Sequence, residues 1–159
     1  MSSIPRRRKP VARKEVVMGS FVFEIVDCAP TYSLSVAFSA NEGPYREFAH
    51  LTLSSRCVFP KVLSGVETEI AVIGDRDCLE PECWKVDRRW RPRCIGQLEV
   101  RATRGRFYAE VPHDSLAFLL MSIRQGDVRM IHLWGPPLYR GKSLCSSIRF
   151  AREFNEDDL

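Results

Sequence analysis

A chain of 159 residues with 45% hydrophobic and 28% charged content has apolar material for one core of ordinary size. This excludes a wholly disordered chain and a fold that needs disulfides or metal to cohere. No apolar run approaches the roughly 20 residues of a membrane helix. The net charge of +4 is uneven: Arg6, Arg7, Arg8, Lys9, Arg13 and Lys14 carry six positive charges, so all that follows sums to −2.

Residues 1–14 hold two prolines and little apolar content, and read as a flexible basic arm. No apolar run follows those charges as a signal peptide requires, so the expected location is the cytoplasm, or the nucleus in a host that has one. Without export, the six cysteines lose the main support for a disulfide framework, and Cys28, Cys57 and Cys145 are expected as small buried hydrophobes.

From residue 15 the pattern alternates. Val17, Gly19, Phe21, Phe23 and Ile25 share one side of a predicted strand, and Asp27 to Thr31, with Pro30, predicts a turn. Tyr32, Leu34, Val36 and Phe38 then alternate with Ser33, Ser35, Ala37 and Ser39, the clearest strand in the chain, with one face expected in the core. After the break at Asn41 to Pro44, further strands are predicted at Ala49 to Ser54 and Glu67 to Ile73.

Beyond the unusual segment that follows, Gln97 to Ala102 and Phe107 to Val111 predict a hairpin with Gly105 at a positive-φ position. His113-Asp114-Ser115 places three catalytic residue types in a row, but helix capping by Asp114 or Ser115 explains them. Leu116, Leu119, Leu120 and Ile123 recur at helical spacing before Gly126, while Phe118 and Met121 widen the apolar surface and predict a largely covered helix. Val128 to Trp134 and Leu144 to Phe150 supply the last strands. Between them, Trp134, Leu138 and Tyr139 offer a secondary contact tip in a Gly-Pro-Pro turn region. His50 is expected on an exposed face, and His132 as a partly buried, hydrogen-bonded histidine.

The expected architecture is mainly β: a single-domain β-sandwich or partly open barrel of about eight strands with one helix near residues 114–125. The arm 1–14, a globular domain 15–151 interrupted by a long loop at 74–95, and an acidic tail 152–159 complete it.

That loop departs furthest from ordinary globular sequence. Asp75, Asp77, Glu80 and Glu82 precede Trp84, Lys85, Arg88, Arg89, Trp90, Arg91 and Arg93. Cys78, Cys83 and Cys94 suggest zinc, but structural zinc takes four ligands, commonly in two close pairs, and a fourth would have to come from Cys57, His50 or an acid. No cofactor is otherwise implied. Tryptophan and arginine together suit protein contacts, where they bring desolvated area and fork-shaped hydrogen bonding. The leading expectation is therefore a non-enzymatic binding or adaptor protein that contacts another protein through residues 84–93. The alternative is a nucleic-acid binder that adds Arg6, Arg7, Arg8 and Lys9 to the same loop, the indoles stacking bases. Against it, the body 15–151 is nearly neutral.

Overall fold

A computed structural model describes residues 19–36, 45–76 and 94–155. In chain order it holds β1 (Gly19–Val36), β2 (Tyr45–Phe59), a 3-10 turn (Lys61–Leu63), β3 (Glu67–Asp75), β4 (Gly96–Arg101), β5 (Arg104–Pro112), α1 (Ser115–Gln125), β6 (Met130–Gly135), β7 (Lys142–Cys145) and β8 (Ser147–Ala151). All eight strands form one sheet in the order β7-β4-β5-β3-β2-β1-β6-β8. Its two ends, β7 and β8, are separated in sequence by Ser146 alone, so one short run of chain hydrogen-bonds both edges of the sheet. The result is a barrel closed except for one seam.

The seam lies where β7 passes the end of β6. The Ser146 amide donates to the Trp134 carbonyl at 2.7 Å, and the Ser143 hydroxyl donates to the Pro136 carbonyl at 2.6 Å. Gly135 permits this approach, because a Cβ there would meet Ser143 Oγ at 2.6 Å and Leu144 O at 3.0 Å.

The interior is filled by alternate residues of each strand, as a small barrel requires. Phe21 and Phe23, Leu51 and Leu53, Ile70 and Val72, Leu98, Phe107 and Ala109, Ile131 and Leu133, and Cys145 converge into one cluster. Two buried hydroxyls are satisfied inside it: Ser55 donates to the Thr68 carbonyl at 2.8 Å, and Thr68 to the Val66 carbonyl at 3.5 Å. α1 closes one barrel end with Leu116 and Leu119 in the core, and Gly126, at φ 79°, terminates it.

A second, outer cluster explains why β6 is buried on both faces. Phe59, Val22 and His132 are aligned across β2, β1 and β6. Phe154 covers them, with its ring 4.9 Å from that of His132 and 5.9 Å from that of Phe59.

Several local expectations are corrected. Pro30 does not make a turn: β1 runs through it, with a register shift between Ile25 and Asp27, and the two predicted strands become one. Proline is tolerated because β6 pairs only with Gly19 to Glu24, which leaves Pro30 on an edge among the described residues. The positive φ of the β4–β5 hairpin falls on Ala102, not Gly105; Gly105 is needed because a Cβ would press on Thr68. The predicted Leu144 to Phe150 strand is broken at Ser146 to serve both sheet edges. No side-chain cap bond from Asp114 starts α1.

Burial expectations also shift. Cys57 and Cys145 are buried, but Cys28 is only half so. Phe118 and Met121 are 69% and 60% exposed, so α1 is less covered than its apolar breadth implied. His50 packs its ring 5.0 Å from Phe48 and is not fully exposed.

Candidate interaction surface

Strand direction determines which features share a barrel end. β3 and β5 run parallel, while β2 and β4 run antiparallel to them. The end of β3, the start of β4, the end of β5 and the β1–β2 hairpin therefore meet at one end, where α1 begins. Arg76 and Cys94, the described residues that flank the Trp/Arg segment, both emerge there.

β1 and β2 extend past their neighbours at this end. β3 pairs with β2 only from His50 to Arg56, whereas β1 and β2 remain paired out to Val36 and Tyr45. Register places Tyr32, Leu34 and Val36 opposite Ala49, Glu47 and Tyr45, all on the continuation of the barrel's inner face. Among the described residues, no part of the core cluster lies beneath it beyond Ala49. Tyr32, Leu34, Val36 and Tyr45 are consequently 62%, 59%, 62% and 63% exposed. This corrects the expectation that the alternation marked a core face. A signal was present: carrying the Ala49 and Leu51 phase back along β2 places Glu47 on that face, a charge where a core would need an apolar residue.

Glu47 is the hub of a polar node at the ribbon's base. Nε and Nη2 of Arg76 both reach its Oε2 at 2.5 Å. The Tyr32 hydroxyl donates to Oε1 at 3.2 Å, and His113 Nε2 lies 3.5 Å from the same oxygen. The Arg76 hydrogen bond, foremost, holds the Glu47 carboxyl below its ordinary pKa. Partial desolvation, then the bond to Glu47, raises the Tyr32 phenol. A carboxylate held this way is a poor proton acceptor at neutral pH, so the node acts as a clamp that fixes the ribbon to the end of β3.

The remaining candidate residues fall elsewhere. Trp84, Lys85, Arg88, Arg89, Trp90, Arg91 and Arg93, with Cys78 and Cys83, lie outside the described residues, as do Arg6, Arg7, Arg8 and Lys9. Cys94 is half-buried before β4, and the Ile95 amide beside it donates to the Cys145 carbonyl at 2.8 Å. Cys57, considered as a fourth zinc ligand, sits on β2, three strands from β4. Its thiol donates to the Phe59 carbonyl, and burial raises its pKa to about 11. Among the described residues no three His, Cys, Asp or Glu side chains converge as a metal group. At the Trp134 to Gly141 tip Tyr139 is exposed beneath the Arg140 guanidinium, but Leu138 packs against the core and Trp134 is half-buried.

Shallow surface depressions lie on the barrel wall. A shallow groove of about 360 Å³ is lined by Arg56, Glu67, Glu69, Arg104 and Arg106, with Val26 and Gly105. Register makes this wall a pair of charge ladders: Glu24–Arg56–Glu67–Arg104–Arg101, and Asp27–Ser54–Glu69–Arg106–Glu99–Lys142. Opposite charges alternate along the first as far as Arg104, which faces Arg101, and along the second from Glu69 to Lys142, whose ammonium lies 2.7 Å from Glu99.

No family model, curated protein or solved structure matches this chain.

Proposed function

We propose that this protein is a non-enzymatic protein-binding module whose contact surface is the helix-capped end of the barrel. It would combine the exposed Tyr32, Leu34, Val36 and Tyr45 face with the Trp84 to Arg93 segment. The single observation in support is that face: four large apolar side chains, each about three-fifths in water, aligned on one side of a clamped ribbon. Contiguous exposed apolar patches mark interaction sites in soluble proteins, and a preorganised ribbon loses little entropy on binding. The two anchors of the Trp/Arg segment at this same end add to the reading, with tryptophan and arginine as anchor residues.

The test uses the full chain in three forms: wild type, Tyr32→Ser with Val36→Ser, and Arg89→Ala with Trp90→Ala. Partners captured by proximity crosslinking are purified and titrated against each form. One partner whose Kd rises at least about tenfold with both double variants supports the reading. If every captured protein binds all three forms equally, the surface is wrong.

A further inference from the structure

Among the described residues, the β1–β2 ribbon has a free edge as well as an apolar face. β6 stops at Glu24 on that side, and the Ile25 amide turns to the Arg129 carbonyl. From Asp27 to Val36, β1 has no second strand partner among the described residues. Proline lacks an N–H, so Pro30 opposite Leu51 cannot be a pair that exchanges two hydrogen bonds. Alternation then directs the backbone of Thr31, Ser33 and Ser35 toward β2. The N–H and C=O groups of Tyr32, Leu34 and Val36 point away from it, an open template for another strand.

We infer that this edge pairs with the same edge of a second copy of the chain, antiparallel about a two-fold axis through Leu34. The sequence is self-complementary in that register. Leu34 meets the partner's Leu34, Tyr32 meets the partner's Val36, and Ser33 meets the partner's Ser35, so apolar residues face apolar and hydroxyls face hydroxyls. Leu34 falls on an outward-bonding position, so the two central residues exchange both backbone bonds. The four-stranded platform also forms a row from Tyr45 through Val36 to the partner's Tyr32, an aromatic and β-branched ladder across three strands. No Lys or Arg lies between Asp27 and Val36 to block edge pairing, and Pro30 falls outside the paired segment.

The area sets the strength. Flanking Tyr32, Leu34 and Val36 on one side covers on the order of 300–500 Å² per copy, below the roughly 800 Å² per partner of a standard interface. The dimer is therefore weak and dissociates in the micromolar range. It uses the ribbon's edge, whereas the proposed partner contact uses its face, so loss of the dimer with partner binding kept would sink the pairing alone.

Sedimentation velocity of the full chain across the micromolar range should show a reversible monomer–dimer equilibrium. Leu34→Lys, which opposes two ammonium groups on the axis, should raise the dimer Kd at least about tenfold with at most a small fall in the unfolding midpoint. Leu34→Cys should crosslink between copies under oxidised glutathione, since paired residues at this position have Cα atoms about 5.5 Å apart, within disulfide reach. Tyr45→Cys, one strand from the axis, should crosslink no faster than wild type with its native cysteines. A monomer at every concentration, a dimer indifferent to Leu34→Lys, or equal crosslinking at residues 34 and 45 overturns the pairing.

Discussion

Leu34 and Leu53 test whether the ribbon face is truly uncovered. Both fall on the inner phase of the first hairpin, yet Leu34 is 59% exposed and Leu53 is 0% exposed. Full burial of a leucine contributes about 1.5–3 kcal/mol. With some two-fifths of Leu34 removed from water, its share is about 0.6–1.2 kcal/mol, an upper bound because unfolded chains already hide part of their apolar surface. Leu34→Ser should thus lower unfolding free energy by at most about 1 kcal/mol. Leu53→Ala removes fully packed atoms and leaves a cavity, so it should cost about 2–5 kcal/mol. Urea unfolding monitored by tryptophan fluorescence and by circular dichroism gives both values on one scale. A cost above about 2 kcal/mol for Leu34→Ser would mean that the face is packed within the folded chain, and both the contact surface and the platform built on it would fail.

Three further outcomes follow from the same geometry. Glu47 has a depressed folded pKa, so its contribution to stability is present above its ordinary value of 4.5 and is lost as pH falls through the folded value; Glu99, hydrogen-bonded to Lys142, acts in the same window. Glu47→Gln should therefore lower the urea midpoint at neutral pH and flatten its fall in acid, and an acid slope identical to wild type would remove the clamp from the account. Cys57 and Cys145 are raised from 9.0 to about 11 by burial, two units that leave about a hundredfold less thiolate at neutral pH. Iodoacetamide followed by peptide mass spectrometry should find both unmodified in the folded chain, and rapid labelling of either would contradict the packed interior. Gly135→Ala should cost about 1–3 kcal/mol by overpacking, with faster hydrogen exchange at the Ser146 amide, because Leu144 O and Cys145 Cα are backbone atoms that must move. Unchanged exchange there would place the seam elsewhere.

The features legible in the sequence were those decided by local chemistry. Strand alternation gives the same inner residues that fill the barrel, Leu51, Leu53, Ile70, Val72 and Leu98 among them, and Gly126 ends the helix as its αL preference predicts. What failed was decided by pairing partners. Pro30 signals a turn unless the chain lies on an edge, and nothing within ten residues of it states that β6 stops at Glu24. Tyr32, Leu34 and Val36 carry the period of a half-buried strand, but period reports which side chains share a face, not whether anything covers it. Glu47 carries the inner phase of β2 and signals the exit from the core, but the hairpin register that puts it beside Leu34 is what ties that charge to this face. The break at Ser146 follows from barrel closure, a property of all eight strands together. The Trp84 to Arg93 segment stands out by composition alone, and the described residues locate its anchors.

The charge ladders bear most directly on the choice between partner classes. Together the two rows hold five basic residues, Arg56, Arg101, Arg104, Arg106 and Lys142, against five acids, Glu24, Asp27, Glu67, Glu69 and Glu99. Each arginine of the wall is thus balanced within a strand or two, and the wall presents little net field to a polyanion. Nucleic-acid binding would have to rest on the basic arm and the segment 77–93, and removing residues 1–14 would turn a +4 chain into one of −2. With about five phosphates neutralised by the full chain, the log–log salt slope on duplex DNA would be roughly −4 to −5, and truncation would abolish most of the binding. Apolar contact through Tyr32, Leu34, Val36 and Tyr45 has no such dependence, so a partner lost with Tyr32→Ser and Val36→Ser should survive both the truncation and added salt. Should the truncated chain lose that partner while the ribbon variant keeps it, the electrostatic reading would replace the one argued from the ribbon.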